Sequence, residues 1–356
     1  MLAIKSPRAY AHEAGLRKRA GEFIKPYASR IRIFTSPRAW LAVNPELSHS
    51  LEAVGISWEL DYLHGECTDE AIENLKQNIE QQGVDVLFAV GGGRVLDTAK
   101  SVGNLLPALR VINFATVAAT CAAWSPVAII YNAQGGHVRS QPMAKMPELV
   151  LVDSEIIARS NVRYLQAGIV DALAKYFEFR PYQRHNPADL ALDLKVMAAL
   201  HALDSYRQFG AAAVLANQQQ QVTPELIKVI DANIVLAGLA NSVRDVLPTP
   251  GFAHAIHNRL TDQPELHHWL HGEKVGYSLL VQSLIEHDGV PDAELLSLLK
   301  QYAMPLQLPA LEGERGQRIR KIAQQIKFPA ASAARLPFAI SATALEQALL
   351  ATENIF

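Results

Sequence analysis

An apolar run that ends in three consecutive glycines and passes into helical periodicity, VLFAVGGGRVLDTAKSVGN at residues 86–104, constrains this chain more than any other feature. A buried strand handing over to a helix through a glycine turn is half of a β–α–β unit, and such units build parallel sheets covered by helices. Glycine lets the backbone approach a ligand closely, and the free N–H groups that open the helix favour an anion such as a pyrophosphate. The spacing is not the G-x-G-x-x-G fingerprint. Strand–glycine–helix joints also serve as plain tight turns, so the residues alone leave both readings open.

The segments around this joint extend the α/β pattern. RIRIFTS (30–36), VDVLFAV (84–90) and RVINFAT (110–116) read as strands, TDEAIENLKQNIEQQG (68–83) as a helix capped at Thr68, VAIIYNAQGGHVRS (127–140) as a hairpin turning at Gly135–Gly136, and ELVLVD (148–153) as a return to the sheet. After about residue 155 the texture changes to helical periodicity with little β-branched alternation, as in ADLALDLKVMAALHALDSYRQF. The expected division is an α/β domain at 1–155 and an all-α domain at 156–356.

Composition narrows the function classes. With 356 residues, 49% of them hydrophobic, the chain has enough apolar surface for two cores. A net charge of -2 without long runs of either sign gives no footprint for nucleic acid. Cys67 and Cys121, the only cysteines, are too few for a disulfide framework or a cysteine-based zinc site, which points to a reducing, cytoplasmic setting. No apolar stretch suggests a signal peptide or a membrane span. A small-molecule substrate is the expected partner.

GFAHAIHNRL (251–260) places His254 and His257 on one helix face, and HGEKVGY brings His271 soon after. A catalytic metal site wants three borderline ligands and one open position. Among 12 histidines such a trio fits metal binding or ordinary hydrogen bonding. His267 and His268 read as surface or hydrogen-bonded residues.

Taken in order, VGGGRVLDTAK, ATVAATCAAWSPVAIIY, ELVLVDSEII, AGIVDALAKYFE, HAIHN and HGEKV resemble the iron-containing alcohol dehydrogenase superfamily, in its glycerol dehydrogenase branch. The resemblance runs over about residues 30–280 and is closest to the hydroxycarboxylate dehydrogenase A type, whose pattern shares AATCAAW and a lysine in the D-x-L-A-K segment. It implies a dehydroquinate synthase-like fold, with an α/β N-terminal dinucleotide-binding domain and an all-α C-terminal domain enclosing cofactor and metal. Carried onto matching positions, Gly92, Gly93 and Arg94 lie against the pyrophosphate, Thr116 and Ala119 near the nicotinamide, and Ser125, Val127 and Tyr131 along its face. Asp97 and Lys100 match the motif without an assigned role, and a helix-face pair accounts for them equally.

The family's metal ligands fall on Asp171, His254 and His271. His257 is then a substrate-side or proton-relay histidine, or else a group that orients a ligand. Lys175 stands where the four-ligand iron branch has a histidine. A protonated ammonium cannot ligate, so the resemblance implies one divalent metal on three protein ligands, zinc rather than iron.

The implied chemistry is hydride transfer between NADP or NAD and a carbonyl polarised by a Lewis acid. Cys121 replaces the aspartate that helps glycerol dehydrogenases bind their polyol, which removes a negative charge from the pocket. With Lys175, or Arg259 where the family usually shows glycine, available for a carboxylate and Trp124 shaping the pocket, reduction of a 2-oxo acid to a 2-hydroxy acid is the leading reading. NAD-dependent glycerol or polyol oxidation is the alternative, and a non-catalytic nucleotide-binding protein is the alternative of another class. At the strand end, Thr35, Ser36 and Arg38 offer no carboxylate to a ribose 2′-hydroxyl, so NADPH is expected to serve at least as well as NADH unless Arg38 faces solvent. Family precedent implies a homo-oligomer.

Overall fold

The computed structural model describes residues 2–245 and 247–355. Six parallel strands form one sheet in the order Ala9–Glu13, Leu149–Asp153, Arg110–Ala115, Val86–Gly91, Arg30–Thr35 and Ser57–Tyr62. Val86–Gly91 is buried along its whole length, as a strand covered by helices on both faces must be. Its side chains divide with the two-residue period of a strand. Leu87 and Ala89 enter one core, while Val86, Phe88 and Val90 enter the other. The neighbouring strands divide likewise, with Val111 and Val150 on the first side and Ile112 and Leu151 on the second.

The elements expected from the sequence form for the expected reasons. The helix over Asp69–Gln82 is capped by Thr68, whose hydroxyl accepts from Ala71 N at 3.1 Å, and is closed by Gly83 at φ 63°. The hairpin pairs Val127–Tyr131 with His137–Pro142, turning through Gly135 at φ 84°, but it stands apart from the main sheet as its own ribbon. The edge strand Ser57–Tyr62 (SWELDY) packs Trp58 and Leu60 against the second core, and its other face is held by charge: Asp61 takes Arg32 of the adjacent strand in two 2.6 Å bonds, and Glu59 takes the same guanidinium. Charged edges of this kind also discourage further strand pairing.

Beyond Asp153 the chain is almost entirely helical, led by Val162–His185, Leu190–Gln218 and His271–Glu286. One short exception, Val243–Arg244, pairs antiparallel with Ala3–Ile4 and ties the beginning of the chain to the helical half. The first core runs without a break from the sheet face into these helices, so the halves share apolar packing.

Close backbone contact fixes the angle between the halves. A Cβ on Gly168 would stand 1.9 Å from the Ala118 carbonyl oxygen in the α/β half, and one on Gly272 would stand 1.9 Å from the Ala167 carbonyl oxygen. The helix carrying Asp171 is therefore wedged between the 116–125 loop and the start of the helix carrying His271, with no room for a methyl group at either contact. Gly168→Ala is expected to destabilise the protein by about 1–3 kcal/mol through forced separation of these backbones. A urea unfolding midpoint equal to that of the wild type would contradict this packing account.

Candidate active site

A cleft of 2260 Å³ runs between the two halves, and every cofactor, catalytic and metal candidate drawn from the sequence lines it. On its helical side, one buried carboxylate oxygen gathers three polar groups. Asp171 Oδ1 lies 3.2 Å from His271 Nε2, 3.5 Å from His254 Nε2 and 3.2 Å from Lys175 Nζ. The two imidazole nitrogens and the carboxylate oxygen all fall within 4.8 Å of one another. A tetrahedral ion with arms of about 2.1 Å separates its ligand atoms by roughly 3.4 Å, so the two imidazole–carboxylate edges have the length that one oxygen and two nitrogens around zinc require. The donor set fits a divalent ion. His257 does not join it.

The carboxylate behind His254 strengthens the fit. Glu178, buried two helical turns beyond Asp171, accepts from His254 Nδ1 at 2.8 Å and from His254 N at 2.8 Å. A carboxylate on the far ring nitrogen fixes the tautomer and turns the Nε2 lone pair toward the would-be ion. Gly251 makes the contact possible, because a Cβ there would lie 2.1 Å from Glu178 Oε1. The sequence reading did not single out Glu178. Its signal was the seven-residue spacing from Asp171, which returns a helix to the same face.

The charges agree with this layout. Burial works to raise the Asp171 carboxyl, yet Lys175 and the hydrogen bonds from His254 and His271 hold it well below the carboxylate range. Burial works to lower Lys175, but Asp171 more than restores it and keeps the ammonium charged. Lys175 also donates to the Asp171 carbonyl oxygen at 3.0 Å and approaches His254 Nε2 at 3.5 Å, so it is engaged at the trio itself. His257 is pushed well below its ordinary value by burial and by the histidines beside it, which leaves it neutral. Its ring stands edge-on to His271 at 4.3 Å between centroids, and Nδ1 meets Asn258 Oδ1 at 3.1 Å.

On the α/β side the glycine turn presents free backbone. Gly92 precedes the helix Gly93–Leu105, and no side chain caps that helix. A Cβ on Gly93 would find the nearest protein atoms only at 3.5 Å, so the glycine spares room on the cleft side rather than avoiding a clash within the protein. Thr116 N donates to Gly91 O at 3.1 Å and holds the next strand end beside the turn. Arg94 pairs with Glu66 at 3.0 Å across the rim. The unassigned pair now has a function in the fold. Buried Lys100 reaches Asp97 at 2.9 Å and the carbonyl oxygens of Ser125 and Val127 at 2.9 and 2.8 Å, while Asp97 accepts from Ile129 N at 3.0 Å. Together they fix the segment from Ser125 toward Tyr131, with Ala119 on the same wall. Arg38 is exposed at the far end of the cleft, just after the Ser36 cap of its helix.

Two expectations are revised. Trp124 does not line the cleft: its indole N–H donates to Ser242 Oγ at 3.2 Å, and its ring fills the space left by Gly238, where a Cβ would lie 2.4 Å away. It shapes the pocket from behind, by setting the 121–125 turn. Arg259 lines the cleft with its Nη1 held by Asp262 at 2.8 Å. Cys121 does sit in the wall, buried, with Asn241 Nδ2 at 3.6 Å from its sulfur, and burial pushes its thiol up to about 11, so it stays protonated and uncharged.

Comparison with known proteins agrees with this geometry. The family model described as iron-containing alcohol dehydrogenase matches residues 7–154. A glycerol dehydrogenase of Pseudomonas putida is 31% identical over 360 residues, covering 99% of this chain and 97% of the relative. Hydroxycarboxylate dehydrogenase A of Escherichia coli (strain K12) is 33% identical over 298 residues, covering 82% of this chain and 80% of that one. The crystal structure of a probable glycerol dehydrogenase from Sinorhizobium meliloti 1021 superposes with a TM-score of 0.86 at 26% identity, covering 99% of both chains. No helix among the described residues is long and apolar enough to cross a membrane. A purely nucleotide-binding role therefore gives way to catalysis. Similarity of this extent, falling on a chain whose cleft joins a glycine turn to a carboxylate–imidazole cluster, makes it a member of the iron-containing alcohol dehydrogenase family, a metal-dependent, nicotinamide-linked oxidoreductase of the glycerol dehydrogenase-like branch.

Proposed function

We propose that this dehydrogenase reduces a 2-oxo acid to a 2-hydroxy acid with NADPH or NADH, at a zinc ion held by Asp171, His254 and His271. The observation that carries the reading is Cys121, whose buried thiol stays neutral at the wall of the cleft. A neutral, weakly hydrogen-bonding group there offers little to a polyol and does not repel a carboxylate. When bound, the ion supplies Lewis acidity and the dinucleotide supplies the hydride.

The chain does the rest. Glu178 holds His254 in its donating orientation, the Asp97–Lys100 pair fixes the wall against which the nicotinamide is to lie, and Lys175, one helical turn from Asp171, supplies a positive charge for the substrate carboxylate. His257, neutral and behind His271, orients that ring or passes a proton to the cleft. The homo-oligomer expected from family precedent remains part of this proposal.

The second reading, glycerol or another polyol as substrate, is favoured by the names of relatives from Pseudomonas putida and Escherichia coli O6:H1, each a glycerol dehydrogenase at 31% and 32% identity. The two readings are separated by one assay. Zinc-reconstituted enzyme is expected to oxidise NADPH or NADH with 2-oxo acids, to lose that activity on chelation, and to turn over glycerol and dihydroxyacetone poorly, and with Arg38 exposed no preference for NADPH is expected. Efficient glycerol oxidation with NAD alone would establish the polyol reading instead.

A second expectation concerns Glu178. Glu178→Gln is expected to weaken zinc affinity by about 10–100-fold, as loss of a carboxylate behind a ligating imidazole does, while circular dichroism stays unchanged. Undiminished zinc affinity would show that the Glu178–His254 contact plays no part in metal binding.

A further inference from the structure

The cleft wall carries further cationic side chains outside the Asp171 cluster, Lys195 and Arg244 among them. Lys195, on the helix Leu190–Gln218, is 7% exposed and holds its ammonium 4.7 Å from the centre of the Phe179 ring, one residue beyond Glu178. Arg244 is on the short strand Val243–Arg244, which packs on that same helix. Arg244 Nη2 is buried and makes no hydrogen bond. Both residues line the cleft, as do Lys175 and Asn241. Asn241, the partner of the Cys121 sulfur, stands three residues before Arg244, so the chain leads directly from one place to the other.

The carboxylates acting on Lys195 are Asp189 and Asp245. Asp189 gives Oδ1 to the N–H groups of Ala191 and Leu192 and Oδ2 to Arg335 at 3.1 Å. Lys195 feels Asp189 and Asp245 against the opposing charges of Arg244 and Arg335. Burial, with Arg244 beside it, brings Lys195 down to about 8, a sign that the ammonium lacks a close partner. A buried guanidinium N–H left without an acceptor is costly, and an anion entering the cleft would relieve that cost at Arg244 Nη2.

We infer that Arg244 and Lys195 form an oxyanion subsite of the cleft, which takes a carboxylate or phosphate group at the end of the ligand remote from its reacting carbonyl. Planar Arg244 suits two-point contact with such a group, and Lys195 adds a point charge. The assignment of this group to the substrate rests on the carbonyl-acid reading above. The existence of the anion site does not.

Titration calorimetry on the zinc-loaded protein saturated with NADP+ tests the subsite without turnover, since the glycine turn is then occupied. Glutarate, with two carboxylates, is expected to bind about tenfold more tightly than pentanoate, with one. Arg244→Met and Lys195→Met are expected to erase the difference, and Arg244→Lys to restore part of it. If inorganic phosphate, rather than glutarate, loses affinity in Arg244→Met, the subsite exists and takes a phosphate. Equal affinity of the wild type for glutarate and pentanoate, together with phosphate binding indifferent to Arg244, would overturn the inference. Anion binding that follows Arg244 in an enzyme inactive on every 2-oxo acid would leave the subsite standing and refute the proposed reaction.

Discussion

Much of the architecture depends on one buried carboxylate oxygen. Asp171 Oδ1 lies within reach of two imidazoles and an ammonium, contributed by three helices. Bringing those helices together, and one of them against the α/β half, leaves no space for side chains at the contacts, which is why Gly168, Gly251 and Gly272 stand where they do. Each glycine serves a different contact: Gly168 meets the loop of the α/β half, Gly272 meets the Asp171 helix, and Gly251 admits Glu178 to His254. Packing and electrostatics are here the same constraint, because the spacing that satisfies the backbones is the spacing that makes a tetrahedral edge.

The α/β half solves a complementary problem. Its sheet is buried on both faces, so the chain ends of its strands are held rigidly, and the loops that leave them inherit that rigidity. The Asp97–Lys100 pair extends the effect outward by fixing backbone carbonyls of the loop opposite the metal cluster. The hairpin ribbon then reaches the helical half, where His137 N donates to Thr261 Oγ1 at 2.8 Å, just past the helix that carries His254. The cleft is thus framed by elements tied together on both sides. A shared core and a terminal strand pair, Ala3–Ile4 with Val243–Arg244, complete the connection.

What was legible in the sequence was local or periodic. The strand–glycine–helix joint, the Thr68 cap and the change to helical texture near residue 155 are each written in consecutive residues. His254 and His271 stood out together with His257 by their spacing, but Asp171, and the choice of His254 and His271 over His257, became readable only through the family resemblance, since their meeting depends on helix packing that no local pattern encodes. Glu178, Lys195 and Arg244 escaped notice for the same reason: each looks like an ordinary helical or terminal charge until the fold buries it. Arg259 and Trp124 show the converse. Both looked like pocket residues from their position in a motif; Arg259 lines the cleft but pairs with neighbouring Asp262, and the 237–242 helix covers Trp124.

The claim on which the account turns is that Asp171, His254 and His271 hold one divalent ion. Crystals of the zinc-loaded protein, measured above and below the zinc absorption edge, test it directly. The account predicts a single strong anomalous peak per chain within about 2.3 Å of Asp171 Oδ1 and the two Nε2 atoms, with the Lys175 ammonium displaced from the trio. A cleft without that peak, or a zinc ion bound by other side chains while Lys175 remains against Asp171, would contradict it.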